Sequence, residues 1–284
     1  QRVLCTAPDR EGRANAAVLV AASLCGIDTV FRIGGAQAIA ALAYGTASVP
    51  KVDKIFGPGN AWVTAAKQIV AADPAGAAID LPAGPSEVLV VADDSARADF
   101  VAADLLAQAE HDPLAQAILV TDCASLAAAV VSEIGRQLPR LARQSILARS
   151  VQAMRVIVVA DLDTAIDVSN LYAPEHLLLQ VREPRRRLDA ITNAGSVFIG
   201  PWSPEPMGDY CSGANHVLPT YGYARAWSGL SLHDFVKRMT VQELDVAGLA
   251  ALGPTAVTLA QLEGLDAHAA AVNLRLEALE RRAA

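Results

Sequence analysis

The chain has 284 residues, a formal net charge of -7 and an apolar fraction of 53%, enough for one large or two medium-sized cores. The acidic balance and the lack of any basic block argue against a nucleic-acid surface and mildly favour a small cationic ligand. No run reaches the roughly 18 apolar residues of a membrane span and no signal-peptide pattern appears. Cys5, Cys25, Cys123 and Cys211 are scattered without paired spacing, so the expected location is the cytoplasm.

Short β-rich runs alternate with alanine-rich helical stretches. The first half predicts strands at Arg2–Thr6, Thr29–Ile33, Lys54–Phe56 and Ala77–Leu81, with helices at Arg13–Cys25, Ala36–Tyr44 and Ala61–Ala72 between them. Two glycine loops, Ile33-Gly-Gly-Ala-Gln37 and Phe56-Gly-Pro-Gly-Asn60, connect a strand to the following helix, where open α/β sheets bind nucleotides. Neither completes a G-x-G-x-x-G fingerprint. The segment Asp80-Leu-Pro-Ala-Gly-Pro-Ser86 reads as a crossing between two α/β units.

Strands at Val88–Ala92, Ala117–Thr121, Val156–Ala160, Leu177–Val181 and Ser196–Ile199 follow, with helices at Arg97–Glu110 and Ser125–Arg143. Strands apolar on both faces and separated by helices imply mostly parallel sheets covered on each side, an α/β fold. Pro201-Trp-Ser-Pro-Glu-Pro-Met-Gly-Asp-Tyr210 is too rich in proline for regular helix or a central strand. A last helical region is expected from about Ser231, ending in Ala267–Arg282.

Four groups of side chains can carry chemistry. Gln108 and His111 lie three apart at a helix end, placing an amide oxygen and an imidazole on one face. They suit either a metal ion or an ordinary polar helix end, where histidine is favoured by the dipole. Glu175 and His176, after Pro174 and just before an apolar strand, form either an ion pair or an acid–base couple. Gly208-Asp209-Tyr210 and Ser212-Gly-Ala-Asn-His216 make a glycine-punctuated loop that lets backbone approach a ligand. Cys211 within it is a soft zinc ligand or a small space-filling side chain. Glu263 and His268 precede and enter the last helix, where their neutral reading is a capping acid and a solvated imidazole.

The chain resembles the histidinol dehydrogenase family along its whole length. The blocks that carry the resemblance begin with Arg32-Ile-Gly-Gly-Ala-Gln-Ala-Ile, Gly57-Pro-Gly-Asn and Asp80-Leu-Pro-Ala-Gly-Pro-Ser-Glu-Val-Leu. They continue with Leu106-Ala-Gln-Ala-Glu-His-Asp, Asn170-Leu-Tyr-Ala-Pro-Glu-His-Leu and Ala194-Gly-Ser-Val-Phe-Ile-Gly. Gly208-Asp-Tyr-Cys-Ser-Gly-Ala-Asn-His and Glu263-Gly-Leu-Asp-Ala-His complete them, in family order.

The resemblance implies two Rossmann-like domains, over residues 1–86 and 87–229, with a helical segment over 230–284 that crosses to a partner in a homodimer. It implies two successive NAD-dependent oxidations of L-histidinol through the aldehyde to L-histidine, with one zinc ion per subunit. Zinc ligands by resemblance are Gln108, His111, Asp209 and His268, a donor set of oxygens and imidazoles that suits zinc. His176 is then the general base and Glu175 the group that activates water. Substrate contacts fall to Ser86, Gln108, His111, His176, Asp209, Glu263 and His268, with His216 nearby, and NAD contacts to Gln37 and Asn60. Family members begin before this chain does, which predicts an unpaired sheet edge and poor stability of the isolated polypeptide, or a companion fragment. The rival readings are a non-catalytic fragment and a zinc hydrolase on an α/β scaffold.

Overall fold

A computed structural model describes residues 2–82 and 84–283. Gln1, Ala83 and Ala284 lie outside the described residues, Ala83 within the predicted crossing segment. The chain divides into two compact units, Gln1–Phe235 and Val236–Ala284.

The first unit opens with β1 (Leu4–Cys5), α1 (Ala16–Leu24), β2 (Val30–Phe31), α2 (Gly35–Tyr44), β3 (Lys54–Ile55), α3 (Ala61–Ala72) and β4 (Ala78–Ile79). β1 pairs with β2 and β3 with β4, both in parallel. These strands are shorter than the sequence predicts, because each has one hydrogen-bonded neighbour along two residues only. Ile39, Ala43, Ile55, Val70 and Ala77 form the small core between α2, α3 and the β3–β4 pair.

A five-stranded parallel sheet follows, in the order β7-β6-β5-β8-β9. Its strands are β5 (Glu87–Ala92), β6 (Gln116–Thr121), β7 (Arg155–Val158), β8 (His176–Gln180) and β9 (Ser196–Ile199). α4 (Ala98–Ala109) connects β5 to β6, α5 (Ala124–Gln137) and α6 (Gln144–Ala153) connect β6 to β7, and α7 (Leu162–Tyr172) connects β7 to β8. Successive strand side chains point to opposite faces. Val88, Val90, Ala92 and Leu178 therefore pack on α4, α5 and α6, with Val101, Leu105, Val130 and Leu147. Leu89, Val91, Leu177 and Leu179 pack on the α7 side with Ala165. The alternating α/β reading and its parallel pairing hold for every strand pair among the described residues.

Three expectations need correction. The helix predicted over Ser125–Arg143 ends at Gln137, where Pro139 enters a 3-10 turn, Leu138–Arg140, and α6 restarts the helix. The proline-rich segment does contain a helix, α8 (Glu205–Tyr210). Pro204 is its N-cap and Pro206 lies in its first turn, where no backbone N–H is needed. Residues 231–245 are not α-helical and hold only the 3-10 turn Leu232–Phe235.

The second unit is a helical hairpin of α9 (Val246–Leu262) and α10 (Asp266–Ala283). Asp245 caps α9 by accepting from the Gly248 N–H at 2.7 Å. Gly253 lets the helices approach, since a Cβ there would stand 3.0 Å from Leu276 Cδ2. No helix among the described residues is long and apolar enough to cross a membrane.

Candidate active site

Glu175 and His176 reach their places through a turn that costs backbone strain. α7 ends at Ala173, which sits in the left-handed region at φ 58° although fully buried. Pro174 follows, and His176 then opens β8 beside Val88 of β5. His176, Leu178 and Gln180 share the strand face that looks at α4. The pair thus stands at the amino edge of the sheet, opposite the edge where open α/β sheets usually bind ligands.

The backbone of Glu87 holds both side chains. Its N–H donates to Glu175 Oε2 at 2.8 Å, and its carbonyl lies 3.0 Å from His176 Nδ1. A carbonyl only accepts, so Nδ1 carries a hydrogen, and in the neutral imidazole Nε2 keeps the lone pair. The Glu87 carboxylate in turn accepts from the Tyr221 N–H at 2.9 Å, tying the following loop to the same point. Behind the pair, Gly195 touches the Glu175 carbonyl so closely that a Cβ would fall 2.6 Å from that oxygen.

α4 runs antiparallel to β5 and so returns to the amino edge. Its last turn carries Gln108, and His111 lies just beyond the C-cap Glu110. Gln108 is fully buried, and neither atom of its amide has a hydrogen-bond partner. α8 places Glu205 and Asp209 four apart, hence on one face. One ligand atom from each of His111, Glu205 and Asp209 lies within 4.8 Å of the others. Glu205 was not among the residues singled out from sequence. It is fully buried with both carboxylate oxygens lacking a donor, and its only sequence signal is the four-residue spacing to Asp209.

The electrostatics follow from crowding carboxylates around one imidazole. His176 Nε2 lies 3.7 Å from Asp209 Oδ1 and 3.9 Å from Glu205 Oε1, and Nδ1 lies 3.5 Å from Glu175 Oε2. Burial pulls the His176 pKa down, but the carboxylates of Asp209, Glu175 and Glu205 outweigh it and hold it at about 9. Burial pushes Glu175 up to about 8, against the opposing pull of His176 and the Glu87 N–H. Glu205 is likewise raised to about 7 by burial and by Asp209. For Asp209 burial acts upward, yet His176 wins and the carboxyl is held below its ordinary range. Burial lowers His111.

Ser86, His111, Glu175, His176, Asp209 and His216 line one cavity of about 210 Å³, together with Pro58 and Gly59. A larger cavity, about 370 Å³, opens at the carboxyl edge beside Asp93, Arg182, Arg186 and Arg187. Its charges are spent on one another, in Arg182–Asp94, Arg186–Glu183 and Arg187–Asp163 pairs. The smaller cavity is the candidate for chemistry, because its titratable groups are buried and crowd around one imidazole rather than pairing in the open.

The other expected residues are placed as follows. Gln37 and Asn60 are exposed in the first turn of α2 and at the N-cap of α3, where Asn60 Oδ1 accepts from Trp62 and Val63. Cys211 is exposed and faces Met207 Sδ at 3.8 Å, outside the His111–Glu205–Asp209 cluster. Glu263 and His268 lie in the second unit, exposed, at the end of α9 and in the first turn of α10. Glu263 is not a stabilising cap, because a carboxylate at a helix C-terminus meets the negative end of the dipole.

A metal ion fits the cluster of His111, Glu205 and Asp209. The buried, unpartnered amide of Gln108 and the converging nitrogen and carboxylate of His111 and Asp209 are the kind of polar groups a cation satisfies.

Comparison with known proteins shows the family of the chain. A family model described as histidinol dehydrogenase matches residues 1–276. A histidinol dehydrogenase of Vibrio vulnificus is 55% identical over 280 residues, covering 99% of this chain and 64% of that protein. One of Yersinia pestis is 58% identical over 277 residues, with 98% and 62% covered. The crystal structure of histidinol dehydrogenase from Elizabethkingia anophelis superposes with a TM-score of 0.94 at 48% identity, over 98% of this chain and 64% of that one. The chain thus spans less than two thirds of the length of these relatives.

Proposed function

Because the chain belongs to the histidinol dehydrogenase family, we propose that it oxidises L-histidinol through L-histidinaldehyde to L-histidine, with NAD and zinc, in the cytoplasm at the end of histidine biosynthesis. The single observation that carries this reading is the convergence of Ser86, His111, Glu175, His176 and Asp209 on one cavity. A cationic amino alcohol suits a site flanked by several carboxylates.

Gln108, His111 and Asp209 would hold the zinc with His268, and the ion would supply orientation and polarisation of the substrate. In its neutral form, which grows as pH rises toward the His176 pKa of about 9, His176 takes the alcohol proton at Nε2, the nitrogen left free by the Glu87 carbonyl. The neighbouring carboxylates stabilise the imidazolium that results. Glu175, anchored through one oxygen on the Glu87 N–H, uses its ionised carboxylate, the form that grows as pH rises toward its pKa of about 8, to orient and deprotonate the water that adds to the aldehyde. Gln37 and Asn60, at the carboxyl ends of β2 and β3, contact NAD, which accepts the hydrides.

We assign Glu263 and His268 to the partner's site in a homodimer, with Glu263 contacting substrate and His268 completing the zinc ligands. Their exposure at the α9–α10 turn leaves them free to do so. A coupled assay with metal analysis tests the whole reading: two NADH per histidinol are expected from zinc-loaded chain. Zinc and histidinol binding without NADH would make the chain non-catalytic, and hydrolysis without NAD would make it a hydrolase. Mixing His176→Asn with His268→Asn chains tests donation across the dimer. Statistical exchange should restore about a quarter of parent activity, since one site in each mixed dimer is intact. No recovery from two dead variants that form mixed dimers sinks the shared site.

A further inference from the structure

Beneath the second glycine loop lies an ion pair that the proposed chemistry does not use. Lys67 of α3 and Asp80, just after β4, have side chains 3% and 0% exposed. The Lys67 ammonium donates to the Asp80 carboxylate, to the Gly57 carbonyl at 3.0 Å and to the Leu81 carbonyl at 3.1 Å, so all three of its hydrogens are used. Asp80 accepts from the Gly57 N–H at 2.8 Å and the Leu81 N–H at 2.7 Å. Gly57 is therefore gripped at both its N–H and its carbonyl, at φ 130°, a conformation that requires glycine.

Two consequences follow along the chain. Pro58 and Gly59, the next residues, are among those that line the candidate catalytic cavity, and Asn60 caps α3. On the other side, Asp80 and Leu81 begin the segment that leads to Ser86 and Glu87. A buried ion pair contributes little net stability, because desolvation offsets attraction, and apolar replacements of both partners are often neutral. Its partners here are loop and linker backbone, while the adjacent core of Ile55, Val70 and Ala77 is wholly apolar.

We propose that Lys67 and Asp80 are positioning residues for the dinucleotide, locking the Gly57–Asn60 loop against the segment that enters the catalytic sheet. This rests on the reading of Asn60 as a NAD contact. The test is the double substitution Lys67→Met with Asp80→Leu, which removes both charges together and leaves neither one buried alone. The variant is expected to fold, keep its zinc, and raise the Michaelis constant for NAD about tenfold with kcat at saturation nearly unchanged. Hydrogen exchange at the Gly57 amide should quicken by about tenfold or more, since its acceptor is gone. A folded variant with an unchanged constant for NAD overturns the proposal, and so does a loss confined to kcat. Failure of the double variant to fold assigns the pair to stability and overturns it too. If the parent chain neither binds nor reduces NAD, the dinucleotide reading fails, while unchanged or faster Gly57 exchange still decides whether the pair holds the loop.

Discussion

The two edges of the five-stranded sheet are built from similar residues and arranged in opposite ways. At the carboxyl edge, Asp93 accepts from the Ser95 and Arg182 N–H groups at 2.9 Å each, and Asp161 caps α7 through the Thr164 N–H at 2.7 Å. Arg182 and Asp94 pair in the open, with side chains 67% and 68% exposed. At the amino edge, Gln108, the Glu205 carboxylate and His176 Nε2 are buried without hydrogen-bond partners. Turn-forming acids at the first edge satisfy the backbone, whereas polar groups at the second are desolvated and wait on something else. Burying a polar group unpaired is unfavourable, so such a concentration marks function rather than folding.

That contrast can be broken in four places, in decreasing order of expected effect. His176→Asn should lower kcat on histidinol by about a thousandfold, the scale of a lost general base, with zinc content unchanged. Loss of zinc in that variant would mean that His176 serves the metal instead. Gly195→Ala should destabilise the chain by about 1–3 kcal/mol through overpacking against the Glu175 carbonyl, and lower activity by moving the Glu175–His176 turn. Equal melting and turnover in parent and variant would show that the turn absorbs the methyl group.

Asp104 sharpens the comparison, because it lies on α4 between the two edges. It is buried, bonded to Gln180 at 3.4 Å, and raised by burial to about 7. A carboxyl group that binds its proton more tightly when folded stabilises the fold at low pH, and that contribution is lost as pH rises from about 4 to about 7. Asp104→Asn keeps an acceptor for Gln180 and never ionises. Its Tm should exceed that of the parent at pH 8 by several degrees and converge with it near pH 4, since each 1 kcal/mol is worth roughly 2–4 °C in a chain of this size. Parallel melting curves across that range would place Asp104 in water. Arg182→Ala, at the satisfied edge, should change stability by less than about 0.5 kcal/mol, as exposed pairs do, and leave turnover unaltered; a large loss of activity there would move the chemistry to the larger cavity.

The parallel α/β architecture was legible because apolar runs bounded by glycine, proline and capping acids repeat along the whole chain, and such runs bury both faces of a strand. Gln108, His111, Glu175, His176 and Asp209 were legible as candidates because amides, imidazoles and carboxylates stand out at helix and strand ends. Their weight came from the family blocks, since taken singly each pair fits an ordinary helix end or ion pair. Local pattern failed where proline was read as a breaker: it starts α8 and so delivers Glu205 and Asp209.

What the sequence determined by itself was the class of fold, the order of its elements and the short set of side chains able to do acid–base or metal chemistry, because these depend on neighbours within a few residues. Tertiary structure alone decided that Glu175, His176, His111 and Asp209 meet in one cavity at the amino edge. It also decided that the Glu87 backbone fixes the His176 tautomer, and that Glu205 and the Lys67–Asp80 pair are buried. Each of these depends on segments far apart in the chain being packed together and shielded from water, and no local pattern encodes that.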